Sequence, residues 1–172
     1  MRLFGGKEKE ITIEKASDAD ITYCVDIIMD AMNSMGVQPI AREGLEQTLK
    51  TPNVLVLVAK AKDRAVGMIS GLAFPSLIPP PRVDFLSVSD EESARKGLHG
   101  MLIDAFIEEL KKRLPNAKYV DTTVATSNPQ FVAMYSMKGF VVIGFTRGEN
   151  PNTDAVILRR NLSGEPQKSY TA

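Results

Sequence analysis

The stretch VDFLSVSDEESARKGLHGMLIDAFIEEL, residues 83–110, reads as a strand, a polar loop and a helix in immediate succession. Val83 to Val88 is short, apolar and β-branched at both ends, and the polar run Ser89 to Lys96 ends it. A helix then opens near Gly97, with Leu98, Leu102, Phe106 and Leu110 on one face and the charged Glu108, Glu109, Lys111 and Lys112 largely on the others. A strand feeding a helix through a loop is the unit from which α/β sheets are built, and its neighbours on both sides extend the pattern.

Upstream, residues 53–75 hold two β-branched apolar runs around Lys62-Asp63-Arg64, which predicts a hairpin. Gly67 and Gly71 fall inside the second run and mark a bulge or a close-packing site. Pro79, Pro80 and Pro81 remove three backbone donors, so this stretch is expected as an exposed loop. Further back, Ile11 and Ile13 alternate with polar residues as a first strand. Ser17 and Asp20 have the spacing of a capping box, opening a helix with Ile21, Cys24, Ile28, Met32 and Met35 on one face and Gly36 as its stop. Pro39 to Lys50 reads as a second, shorter helix. Downstream come a strand over Tyr119–Ala125, a helix over Asn128–Lys138, and a strand pair over Phe140–Phe145 and Ala155–Leu158. The order β-α-α-β-β-β-α-β-α-β-β has hairpins at either end and helices between strands. It predicts a mixed, twisted sheet with helices on both faces.

The chain has 172 residues, 21 Lys+Arg and 21 Asp+Glu, which suits one domain, with a core over about 11–162, and no broad electrostatic footprint for nucleic acid. The lone Cys24 cannot form an internal disulfide, no apolar run is long enough for a membrane span, and the first residues lack a signal-peptide core. A cytoplasmic protein is expected. An exposed strand edge or the last hairpin could pair two copies as a homodimer.

Two segments carry chemistry. At the helix start, Arg95-Lys96-Gly97-Leu98-His99-Gly100 sets two cations and two glycines beside unpaired N–H groups, an arrangement that suits a phosphate. Equally, it is a basic, glycine-containing helix start with no ligand. It is neither a Walker A loop nor a dinucleotide fingerprint. Downstream, Asn128 can cap its helix, Tyr135 sits two turns in and Gly139 closes it before Phe140. A tyrosine hydroxyl is a neutral donor at pH 7, able to serve a leaving thiolate; it also packs well between helix and sheet.

Together these segments resemble the GNAT (Gcn5-related N-acetyltransferase) family. That family carries [RQ]-x-x-G-x-[GA] at the helix after its fourth strand and N-x-x-A-x-x-x-Y-x-x-x-G-F downstream. Asn128, Tyr135, Gly139 and Phe140 keep the second spacing, and the element order from 11 to 162 also fits. Ala94 stands at the Arg/Gln position if Gly97 is the first motif glycine, although Arg95 could shift into that role. His99 replaces the second small residue and Phe131 the alanine.

The resemblance implies an α/β fold with a mixed, mostly antiparallel sheet of about seven strands, and a single acyl-CoA N-acyltransferase-like domain. It implies acetyl transfer from acetyl-CoA to an amine in a ternary complex, with no metal. The pantetheine would pair with backbone around Leu86, Ser87 and Val88, and the pyrophosphate would meet the N–H groups of Arg95, Lys96, Gly97, Leu98, His99 and Gly100. Asn128 would bond the pantetheine arm and Tyr135 would be the general acid. Asp84 is the first choice of base, with Asp121 and Glu92 behind it; a strand-end carboxylate facing solvent is the plain alternative. The acceptor pocket would draw on Met29, Met32, Asn33, Met35, the proline loop and Gly148–Asp154. A non-catalytic domain of the same fold, binding acyl-CoA or a partner, is the rival reading. A further nucleotide-phosphate-binding α/β protein is the remoter one.

Overall fold

The computed structural model describes residues 11–34, 40–62, 64–74, 79–89, 97–148 and 154–163. In chain order these form β1 (Ile11–Lys15), α1 (Asp18–Ser34), α2 (Arg42–Leu49), β2 (Val54–Ala61), β3 (Arg64–Leu72), β4 (Arg82–Val88), α3 (Leu98–Arg113), β5 (Tyr119–Ala125), α4 (Pro129–Met137), β6 (Val141–Thr146) and β7 (Ala155–Asn161). The seven strands make one sheet in the order β1-β2-β3-β4-β5-β7-β6. Only β4 and β5 pair in parallel; every other neighbouring pair is antiparallel. The α/β class and the mixed sheet expected from the order of elements are both present.

Helices cover both faces. On one, α1 and α2 bury Ile21, Cys24, Val25, Ile28, Leu45 and Leu49 against Val56 and Met68 of the sheet. On the other, α3 buries Leu98, Leu102, Ile103, Phe106 and Leu110 against β2, β3 and β5, with Tyr135 of α4 and Phe140 closing that core. The start of α1 follows the expected capping pair. The Asp20 carboxylate accepts the Ser17 N–H at 2.9 Å and the Ser17 hydroxyl at 2.6 Å, and the Lys60 ammonium adds a third bond. These bonds outweigh the desolvation of a nearly buried carboxylate and hold its pKa below the usual range.

Some boundaries differ from expectation. The second helix begins at Arg42, because Ala41 is extended (φ −56°, ψ 132°) and serves as its N-cap. The last strand runs on to Asn161, since its pairing with β5 continues to Tyr119. Strands 5 and 6, joined through α4, are not neighbours; β7 lies between them. Of the three prolines, Pro79 is exposed, but Pro81 is buried and its carbonyl accepts the Asp121 N–H at 2.9 Å. Gly36 and Met35 lie outside the described residues. Among the described residues no helix is long and apolar enough to cross a membrane.

Gly67 and Gly71 explain themselves against β4. A Cβ on Gly71 would stand 1.9 Å from the Arg82 carbonyl oxygen and 2.9 Å from Phe106; one on Gly67 would crowd the Ser87 carbonyl at 3.1 Å. Opposite Gly71 the ladder slips: Ser70 faces Phe85 while Gly71 faces Val83, leaving Asp84 as the extra residue of a β-bulge.

Candidate active site

Strands β4 and β5 are in register only at Arg82↔Asp121 and Val83↔Thr122. Beyond these pairs they part, and a cleft of about 390 Å³ opens between Asp84–Ser87 of β4 and Thr122–Ala125 of β5. Ile28 and Ala31 of α1 line it on one side, and Asn128, Phe131 and Tyr135 on the other. A strand edge left unpaired inside a cleft presents backbone donors and acceptors that an extended ligand can use as an added strand.

Where the strands part, three elements are tied together. Thr122 is buried, and its hydroxyl donates to the Val83 carbonyl at 3.2 Å. Tyr135, 3 % exposed, shares a side-chain hydrogen bond with Thr122. Because the only hydroxyl proton of Thr122 is committed to Val83, the Tyr135 O–H is the donor in that bond. The Tyr135 ring packs edge-on against Phe140, with centroids 5.1 Å apart. Burial pushes the phenol up to about 12, so it keeps its proton at neutral pH.

Asp84 sits at the same place on the bulge, 28 % of its side chain exposed. The Arg82 Nε–H donates to Asp84 Oδ1 at 2.6 Å, and the Leu72 N–H reaches the same carboxylate. Desolvation outweighs both, and the carboxyl titrates above the usual range. Asp121 is differently placed: Arg159 grips both its oxygens, at 2.7 and 2.8 Å, and this guanidinium also lies over the Tyr119 ring.

At the start of α3, Gly97 is the N-cap in a left-handed conformation (φ 80°), with no side-chain cap on the exposed N–H groups. Leu98 is wholly buried, backbone included, so Gly97, His99 and Gly100 are the positions of this turn that a ligand can reach. His99 points across to α4 and meets Phe131 edge-on, centroids 5.6 Å apart; burial lowers its pKa and favours the neutral imidazole. Gly100 has a use of its own. A Cβ there would lie 2.7 Å from Cε of Lys138, whose ammonium bonds Asp104 at 2.5 Å, so the glycine makes room for a lysine from the end of α4. Arg95, Lys96 and Glu92 lie outside the described residues.

The cleft thus gathers Asp84, Leu86, Ser87, Asn128 and Tyr135 from the expected set. Val88 is not among its lining; it pairs with Gly67 and packs into the α3 core. Asn128 does not cap α4 with its side chain, as had been expected. The Phe131 N–H, which such a cap would use, donates to the Asn128 backbone carbonyl at 3.0 Å, and Asn128 lines the cleft. On α1, Met32 is core, and Ile28 and Ala31 are the residues that reach the cleft. The segment Gly148–Asp154 is described only at its ends, where the Gly148 N–H donates to Asp154 Oδ1 at 3.0 Å. Thr122 was missed. Its signal was a polar residue at the buried phase of Val120-x-Thr122-x-Val124.

The fold has counterparts in solved structures. The ribosomal-protein-S18-alanine N-acetyltransferase of Escherichia coli superposes with a TM-score of 0.71 at 18% identity, over 94% of this chain and 100% of that one. The yncA protein of Salmonella typhimurium, determined with its cofactor acetyl-CoA, gives 0.74 at 16% identity over 94% and 99%. The spermidine N-acetyltransferase of Vibrio cholerae in complex with CoA and spermine gives 0.69 at 16% identity over 89% and 96%. At these identities the likeness is one of fold. No curated protein sequence matches significantly. The family model described as "Acetyltransferase (GNAT) domain" matches residues 25–152, well over half of the chain, and the chain therefore belongs to the GNAT acetyltransferase family.

Proposed function

We propose that the protein is an N-acetyltransferase that moves an acetyl group from acetyl-CoA to a primary amine of a small molecule or peptide, by direct attack in a ternary complex. The observation that carries this is the parting of β4 and β5 with a protonated phenol on one side of the divide and a carboxylate on the other. Acetyl-CoA supplies an activated thioester, and the residues fit it: an open β4 edge at Leu86 and Ser87 for the pantetheine amides, Asn128 beside them, and the uncapped helix start at Gly97, His99 and Gly100 for phosphate.

In this reading Asp84 accepts the proton of the ammonium, directly or through water, and releases it to solvent. The amine nitrogen forms its bond to the acetyl carbon as the carbon–sulfur bond breaks, and the nitrogen then sheds its second proton to solvent, giving a neutral amide and a CoA thiolate. Tyr135 swings its O–H from Thr122 to the sulfur as charge gathers there. A phenol near 12 holds its proton more tightly than a thiolate near 8.5 does. Its contribution is therefore a strong hydrogen bond in the transition state, and the departing thiolate takes its proton from solvent. Alignment of the two reactants supplies much of the remaining barrier reduction.

The rival reading, a non-catalytic member of the fold, draws on His99 and Phe131 at the helix start, where the family has small residues. Calorimetric titration with acetyl-CoA, using adenosine as control, separates the two. Micromolar binding that requires the pyrophosphate, with thiol release once primary amines are added, supports the enzyme; no binding up to millimolar concentrations, or binding with no release, supports the rival.

A further inference from the structure

Asp84 lines the cleft and pairs with Arg82, which lies outside the lining and is joined to it through this ion pair, and the two halves of the pair are unequally satisfied. Asp84 has Arg82 Nε–H and the Leu72 N–H. Arg82 is 54 % exposed, and among the described residues Asp84 is its only partner. The carboxylate that the sheet places in register with it, Asp121, is unavailable, because Arg159 occupies both oxygens. The terminal nitrogens of the half-exposed Arg82 guanidinium have no partner among the described residues, and they carry donors in the fork geometry that matches a carboxylate.

The geometry points to an acceptor that is a zwitterion: an α-amino acid, its ammonium against Asp84 and its carboxylate against the terminal nitrogens of Arg82. This rests on the reading of Asp84 as the base at the acceptor end of the cleft. An ion pair that offers one charge of each sign side by side complements a molecule carrying the opposite pair on adjacent carbons. A polyamine would instead bring a second cation towards Arg82, and an amine at a peptide N-terminus has an amide where the carboxylate is needed. Ile28, Ala31 and Phe85 give the neighbouring cleft wall an apolar surface for the side chain. The arrangement also links binding to chemistry. Once the acceptor carboxylate neutralises Arg82, Asp84 loses the charge that opposes its protonation and becomes a stronger base for the ammonium beside it. Arg82 is thus assigned as the specificity-determining residue.

The test is calorimetric titration of the full chain, saturated with CoA so that no turnover occurs, with alanine, leucine and phenylalanine, each compared with its carboxamide and with the amine lacking the carboxylate. Acetylation of the same compounds from acetyl-CoA is followed in parallel. At least one amino acid should bind roughly ten- to a hundredfold more tightly than both of its analogues, the range of a charge-assisted bidentate pair. Arg82→Gln should erase that advantage and Arg82→Lys should keep part of it. Carboxamides or plain amines binding as well as the acids, no amino acid binding at all, or a preference that survives Arg82→Gln would each overturn the proposal. Arg82-dependent amino-acid binding with turnover unaltered in Asp84→Asn would remove Asp84 as base and leave the zwitterion site standing. If CoA does not bind, the transfer reading fails on its own, and the same titrations on the unliganded chain decide the acceptor site.

Discussion

Replacing Tyr135 by Phe tests the apex of the cleft with the smallest change available, one oxygen atom. The ring stays the same size, so its edge contact with Phe140 and its place in the α3 core should persist. The lost hydroxyl is a buried donor to Thr122, and Thr122 keeps its own bond to Val83. What remains unsatisfied is one acceptor lone pair of a hydroxyl that still donates. The stability loss should be about 1 kcal/mol, the lower end for a buried hydrogen bond. Turnover is a different matter, because the same O–H is assigned to the sulfur in the transition state. Loss of a positioned donor costs about 10²–10⁴-fold, or about 3–5 kcal/mol of barrier. The assay is thiol release from acetyl-CoA with a saturating acceptor, beside a thermal melt of the same preparation. The expected result is a large fall in kcat, acetyl-CoA affinity within a few-fold of the parent, and a melt lowered by a few degrees. Turnover within threefold of the parent would refute the assignment, because a structural role alone predicts a stability change and little else.

Asp84→Asn should remove the acid-side limb of the pH–rate profile. A base works only when deprotonated, and a carboxyl raised by desolvation loses activity on acidification at a higher pH than an ordinary aspartate does; a profile with the limb unmoved would discard it. His99 has a lowered pKa, so the unfolded chain binds its proton before the folded chain does. Stability should therefore fall as the pH drops below about 6.5 towards the folded-state value, and melts of His99→Gln should lack that part of the fall. Asp20→Ala removes three bonds at the start of α1 and should cost about 1–3 kcal/mol by denaturant titration, whereas a change under 0.5 would show that the capping pair is ornamental. Gly71→Ala would set a methyl group 1.9 Å from a carbonyl oxygen and should cost about 3 kcal/mol or more, while Gly144→Ala, with its nearest atom at 3.5 Å, should stay within about 0.5 kcal/mol.

The contrast between those two glycines shows which parts of the site were legible. Periodicity revealed every strand and helix described, because each element's pattern is local: Leu98, Leu102, Phe106 and Leu110 mark a buried stripe whatever they pack against. The parting of β4 from β5 is not local. It depends on where two strands about 40 residues apart stop sharing a register, and nothing in Asp84–Val88 or Thr123–Ala125 announces the end of pairing. Gly71 is an intermediate case. A glycine inside a strand pattern signalled a bulge or a close approach, and both occur, but the residue that bulges is Asp84 on the neighbouring strand. The bulge is what carries the carboxylate out of the ladder and into the cleft, so a catalytic assignment on one strand depends on a missing side chain on another.

His99 and Phe131 extend the same point to family patterns. Read singly, each is a departure: an imidazole where the backbone should be bare, and a phenyl ring where alanine is usual. In the fold they touch, ring edge to ring face, one from the start of α3 and one from the first turn of α4. Gly100, the next residue of α3, and Lys138, at the far end of α4, join the same two helices, the glycine leaving room for the lysine stem and Asp104 holding its ammonium. The α3–α4 seam is thus built from two substitutions that fit each other, and a motif scored position by position counts as two faults what packing makes one contact. It follows that Phe131→Ala and His99→Gly each lose the same contact, so the double change should cost less than the two single changes added together. A double-mutant cycle measures that coupling directly, with about 0.5–1.5 kcal/mol expected for an aromatic pair. Strictly additive costs would mean that the two departures arose independently and that the contact between them carries no energy.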